Sequence, residues 1–114
     1  IAEKRSLTLP DGTKVQLNSK STLLYPQEFT GDSRSVFLLG EANFKLTGLE
    51  SPFIVKSNDL QITALGTEFN VSAYPESQEI ATTLISGSIR VDYNNLTTSV
   101  ILHPNEQFAY NRNN

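Results

Sequence analysis

The side chains able to do chemistry in this chain are few and far apart. His103 is the only histidine, and Pro104 follows it. A general base would have to be His103 or a carboxylate, and a lone imidazole in a turn with no partner beside it reads as a surface residue. Twelve acids are present, but they are scattered singly. Glycoside hydrolysis needs two carboxylates flanking one bond. Glu41 and Glu68, each close behind a glycine, are the one pair that could approach across strands, and solvated strand-end charge is the reading their spacing favours. Calcium needs about six to eight oxygens, usually from a clustered acidic loop; neither Asp11-Gly12-Thr13 nor Gly31-Asp32 supplies one. No glycine-rich phosphate cradle occurs, and Ser86-Gly87-Ser88 lacks the first glycine of a nucleophile elbow. The chain has no cysteine, which removes thiolate catalysis, zinc–thiolate sites and disulfides. The sequence therefore assigns no catalytic, cofactor-binding or metal-binding residue, and it expects no cofactor.

Aromatic residues leave one binding alternative. There are six Phe, four Tyr and no Trp. Tyr25, Tyr74 and Tyr110 each lie near a turn, where a ring could serve as a platform for a sugar. A carbohydrate-binding β-sandwich module predicts a planar cluster of exposed rings, whereas an interaction domain predicts the rings mostly in the core. Asn70-Val71-Ser72 and Asn95-Leu96-Thr97 fit the N-glycosylation acceptor pattern, which is short enough to arise by chance.

The elements that must position these residues read as strands. Val15 and Leu17 alternate with Lys14, Gln16 and Asn18. Ala42, Phe44 and Leu46 alternate with polar neighbours, as do Leu60, Ile62 and Ala64, then Phe69, Val71 and Ala73, then Ile89, Val91 and Tyr93. Each set has one face to bury and one to wet, the pattern of half-buried antiparallel strands. Turn residues punctuate them: Pro10-Asp11-Gly12-Thr13, Thr30-Gly31-Asp32-Ser33, Glu50-Ser51-Pro52, Asn58-Asp59, Pro75-Glu76-Ser77, Asn94-Asn95 and His103-Pro104-Asn105. The spacing predicts an all-β fold of about eleven or twelve short strands, as a two-layer antiparallel β-sandwich or a short β-roll. Ser, Thr and Asn fill 33 of the 114 positions, a composition that suits strands and turns better than helix interiors.

Asp11 and Gly12 are expected to shape the first turn. Gly40 and Gly66 each follow an apolar pair, Gly87 follows Leu84-Ile85-Ser86, and each precedes an alternating run. This weak repeat fits bends between sheets, or plain punctuation of a β-protein. Net charge is −3, so there is no electrostatic footprint for nucleic acid, and no apolar run approaches the length that spans a bilayer. With no Met, and so no initiator, the chain is expected to be a processed or excised fragment.

Seven blocks, in order, resemble a known family. They are Leu9-Pro10-Asp11-Gly12-Thr13-Lys14-Val15-Gln16-Leu17-Asn18; Ser21-Thr22-Leu23-Leu24-Tyr25-Pro26; Val36-Phe37-Leu38-Leu39-Gly40-Glu41-Ala42-Asn43-Phe44; Pro52-Phe53-Ile54-Val55; Leu65-Gly66-Thr67-Glu68-Phe69-Asn70-Val71-Ser72-Ala73-Tyr74; Thr83 to Val91; and Leu102-His103-Pro104-Asn105-Glu106-Gln107. Together they resemble the periplasmic domain of FecR-family anti-sigma factors of the Bacteroidetes type. Asn105 stands where the family commonly has Gly, and Asn tolerates the same left-handed turn. The resemblance implies that residues 1–114 form a single periplasmic domain. It also implies an inner-membrane anchor through a helix outside this sequence, and a following α/β domain. The implied partners are an outer-membrane TonB-dependent transducer and, through an absent cytoplasmic region, an extracytoplasmic-function sigma factor. It carries no catalytic residue, no contact with nucleic acid and no partner-binding residue that can be named.

Overall fold

A strand with one dry and one wet face needs a second layer to cover the dry one. The computed structural model describes residues 4–48, 51–58, 60–94 and 96–111; the expectations that fell on Glu3, Glu50, Asp59, Asn95 and residues 112–114 lie outside them. The described residues form eleven strands and no helix: β1 (Arg5–Thr8), β2 (Lys14–Leu17), β3 (Thr22–Leu24), β4 (Arg34–Lys45), β5 (Phe53–Ser57), β6 (Leu60–Ala64), β7 (Glu68–Ala73), β8 (Glu79–Ser86), β9 (Ile89–Tyr93), β10 (Thr98–Leu102) and β11 (Gln107–Asn111). The all-β class read from the alternation is the observed one.

The strands pair into two layers that share β4. The first sheet runs β1-β2-β4-β7-β8-β11 through the second half of β4. The second runs β3-β4-β5-β6-β9-β10 through its first half. β4 serves both because it is 12 residues long and bends at Gly40. Leu39 still pairs with Thr22 in the second sheet, and Gly40 already pairs with Ala73 in the first. Val36, Leu38, Ala42 and Phe44 stay buried on both sides of the bend, so one strand wraps the core as a coil of a roll does. The fold is a sandwich whose layers are joined by a continuous strand.

One pairing departs from the antiparallel expectation. β4 and β5 are parallel, with Arg34 beside Phe53 and Phe37 beside Lys56. Parallel neighbours ordinarily need a long crossover. Here the second half of β4 is part of that crossover: the chain leaves the second sheet at Gly40, runs along the first to Lys45, and is back in the second sheet at Phe53. Every other strand pair is antiparallel.

Register fixes what lies at each end of the sandwich. Arg5 pairs with Leu17, and Asn111 with Glu79, both at the end where Gly40 bends. The opposite end carries the 9–13 turn, residues 46–48 and 51–52, and the links at 65–67, 87–88 and 103–106. Gly66, at φ +55, lies in the link from β6 to β7, and Gly87, at φ +84, in the link from β8 to β9.

The core between the sheets is aromatic at this linking end. Phe44 stacks on its cross-strand partner Phe69 at 5.3 Å, and Phe53 of the second sheet meets Phe44 at 5.7 Å. All three are fully buried, each contributing about 1.5–3 kcal/mol by leaving water. At the flank, Tyr93 of β9 packs against Phe108 and Tyr110 of β11 at 4.8 and 5.2 Å, drawing the two sheets together where no strand pairing joins them.

Candidate interaction surface

Asp11 and Gly12 sit in the turn between β1 and β2. The Asp11 carboxylate accepts from the Thr13 N–H at 3.0 Å and the Thr13 hydroxyl at 2.7 Å. Gly12, at φ +91, donates its N–H to the Leu9 carbonyl at 2.9 Å. The turn is tied to the rest of the molecule by Arg34, which enters the core from the first residue of β4. Arg34 Nη1 lies 2.8 Å from Asp11 Oδ2 and donates to the Thr47 carbonyl at 2.8 Å; Nη2 donates to the Ser51 carbonyl at 2.6 Å. Its guanidinium lies 5.6 Å from the centroid of the Phe53 ring. Both guanidinium amino groups are thus occupied by the protein, and the cluster braces this end of the sandwich.

The outer face of the first sheet is polar from edge to edge. One register row across its six strands reads Ser6, Gln16, Asn43, Asn70, Thr83, Gln107. The two acids considered for hydrolysis stand on this face, held by amides. Asn18 and Asn70 donate to Glu41 at 3.0 and 2.9 Å, and Asn43 donates to Glu68 at 3.2 Å. The carboxylates do not converge on one cleft: Glu41 lines a hollow of about 50 Å³ and Glu68 a separate one of about 320 Å³. Such a face is satisfied by its own hydrogen bonds.

The second sheet differs at its β3 edge. There Leu24, Tyr25, Pro26, Ser35, Phe37 and Lys56 line an open groove of about 330 Å³. Leu24 is 59% exposed and Tyr25 44%. β3 stops at Leu24 because of Pro26. Its register, Thr22 to Leu39 and Leu24 to Phe37, would set Pro26 opposite Ser35, and proline brings no N–H to a ladder. β4 therefore runs on past the end of its neighbour.

The remaining candidates are structural. Gly40, at φ +114, faces Ser21: a Cβ there would lie 2.7 Å from the Ser21 Cα. At Gly87 a Cβ would lie 3.1 Å from the Thr67 Cβ and nearer still to its Cγ2. Asn105, at φ +73, holds the left-handed position expected of it. In the same turn the Glu106 carboxylate accepts from the His103 N–H at 2.7 Å and lies 3.4 Å from His103 Nδ1. That N–H is the chief cause holding the Glu106 carboxyl below its usual range; desolvation opposes it, and the imidazole hydrogen bond and charge add to the lowering. Among the described residues no group of three or more His, Cys, Asp or Glu could hold a metal. The rings lie mostly in or against the core: Phe44, Phe53 and Phe69 are buried in it, Tyr93, Phe108 and Tyr110 pack against it, and Tyr25 is exposed. Sequence reasoning missed Arg34, although its parity with Val36 and Leu38 marks it as inward, and it missed Leu24 and Lys56.

The profile of the family described as FecR protein matches residues 2–90. Two crystal structures of a candidate anti-sigma factor from Parabacteroides distasonis ATCC 8503 are 40% identical to this chain and superpose with a TM-score of 0.94. Each covers 98% of this chain, which spans 52% of theirs, so the chain is about half the length of these relatives. No curated protein matches it.

Proposed function

The chain belongs to the FecR protein family, and from that premise we propose that it is the periplasmic β-domain of a membrane-anchored anti-sigma factor. In this reading the full protein is held in the inner membrane by a helix outside these 114 residues. It relays occupancy of an outer-membrane TonB-dependent transducer to an extracytoplasmic-function sigma factor bound by a cytoplasmic region. The role of the present unit is regulatory, through protein contact and not chemistry. The observation that carries the reading is the family match, supported by a TM-score of 0.94 to a candidate anti-sigma factor over nearly the whole chain. A further α/β domain, outside this sequence, would be the dock for the transducer's periplasmic signalling domain, and the β-domain its folded support.

Calorimetry tests this on two chains, residues 1–114 alone and the same unit continued through the following domain. The longer chain is expected to bind the cognate signalling domain at least about tenfold tighter, a difference of about 1.4 kcal/mol. Equal affinities would place the dock on these 114 residues and overturn the support role.

A further inference from the structure

The groove beside β3 combines three properties in one place. It exposes apolar side chains, Leu24 and Tyr25 with Phe37 beside them. It exposes backbone polar groups. The Arg34 N–H donates to the Pro52 carbonyl on the β5 side at 2.8 Å, and successive residues of a strand aim their N–H and C=O at opposite neighbours. Ser35 therefore faces the β3 side, where β3 has already ended and no backbone hydrogen bond joins it to Pro26. Third, Lys56 is the one charged side chain lining the groove. No acid among the described residues pairs with it, whereas Arg90 on the same face is paired with Asp92. In a chain of net charge −3 this is a local positive rim.

We propose that this groove seats an extended segment from the remainder of the protein's own chain, added as a strand beside Ser35 of β4, with an aliphatic side chain against Leu24 and Phe37 and a carboxylate against Lys56. Strand addition supplies the main-chain bonds, and the groove and Lys56 supply the selectivity. The length of chain in the relatives favours this occupant. About half of each solved relative lies outside the shared unit. The molecule measures 37 × 34 × 25 Å, so about twenty extended residues are enough to pass from Asn111 over its surface to the groove. A tethered segment also meets the groove at an effective concentration on the order of millimolar, which favours it over a free partner. The inference rests on the reading that the chain continues into a docking unit.

The test uses the full periplasmic chain and its L24E/K56E variant, two changes at exposed positions, with thermal melting as the check of fold. Hydrogen exchange at the Ser35 amide is expected to be at least about tenfold slower in the unmodified chain than in the variant. Acetylation of Lys56 by a small succinimidyl ester is expected to lag that of exposed Lys45 in the unmodified chain by about the same factor. Free exchange at Ser35 and free labelling of Lys56 in the unmodified chain would overturn the proposal. So would protection that rises with protein concentration, which means a second copy, or protection that requires added signalling domain, which means the transducer. A protected groove in a chain that fails to bind the transducer leaves this inference standing and removes the relay. Tight binding with the groove open does the reverse.

Discussion

Arg34 Nη1 and Asp11 Oδ2 stand 2.8 Å apart with both side chains almost wholly shielded from water, joining the first turn to the first residue of β4. Removing one partner of such a pair strands a charge in the core, which costs about 3–5 kcal/mol. Asp11→Ala is expected to lower stability by that amount in urea denaturation. Adding Arg34→Met to it is expected to restore part of the loss, because the charge then leaves with its partner. A double variant weaker than Asp11→Ala by the full Arg34→Met cost would show that the two residues are not coupled.

Gly40 and Gly31 separate backbone conformation from crowding. Both have positive φ, +114 and +95, but a Cβ at Gly31 meets nothing within 4 Å while one at Gly40 meets Ser21. Gly31→Ala is expected to cost about 1 kcal/mol from the left-handed backbone alone. Gly40→Ala is expected to cost at least about 2 kcal/mol more. Similar melting temperatures for the two variants would dismiss the close approach of Gly40 to Ser21.

Thr82 lies fully buried on the inner face of β8, and its hydroxyl has no hydrogen-bond partner among the described residues. Thr82→Val keeps the shape and removes the orphaned hydroxyl, so it is expected to raise stability by about 1 kcal/mol. A lower denaturation midpoint with an unchanged slope would mean that the hydroxyl is satisfied in solution.

Glu106 gives the fold a small acid sensitivity. Its carboxyl is held below its ordinary range chiefly by the His103 N–H. A depressed carboxyl contributes stability that is present above its unfolded pKa and is lost as pH falls through the folded one. The stability of Glu106→Gln is therefore expected to fall less than that of the unmodified chain below the ordinary carboxylate range. Parallel stability curves through that acid range would contradict the assignment.

Much of the fold was legible because burial follows parity along nearly every strand. Phe44, Phe69 and Val91 alternate with polar neighbours and are buried. The parallel β4–β5 pair was not legible, because it depends on a twelve-residue strand bending at Gly40 and acting as part of its own crossover. Arg34 hid behind its charge, since nothing local shows that Asp11 waits across the core. Asn70 looks like a bystander next to Phe69, yet it holds the Glu41 carboxylate. Leu24 was illegible for a different reason: Leu23 and Leu24 are both apolar, and only the register against β4 decides which of them faces out.

The placement of Arg5 and Asn111 at one end of the sandwich has a mechanical meaning. β1 and β11 are opposite edges of the first sheet, so tension between their outer ends runs along the hydrogen bonds rather than along the strands. Such a load does not shear a whole ladder at once. It opens the Arg5–Leu17 and Asn111–Glu79 pairs first and unzips inward one pair at a time. The sheet would therefore yield to a weak pull while the Arg34 brace at the far end still holds, making the edges a low-threshold mechanical fuse.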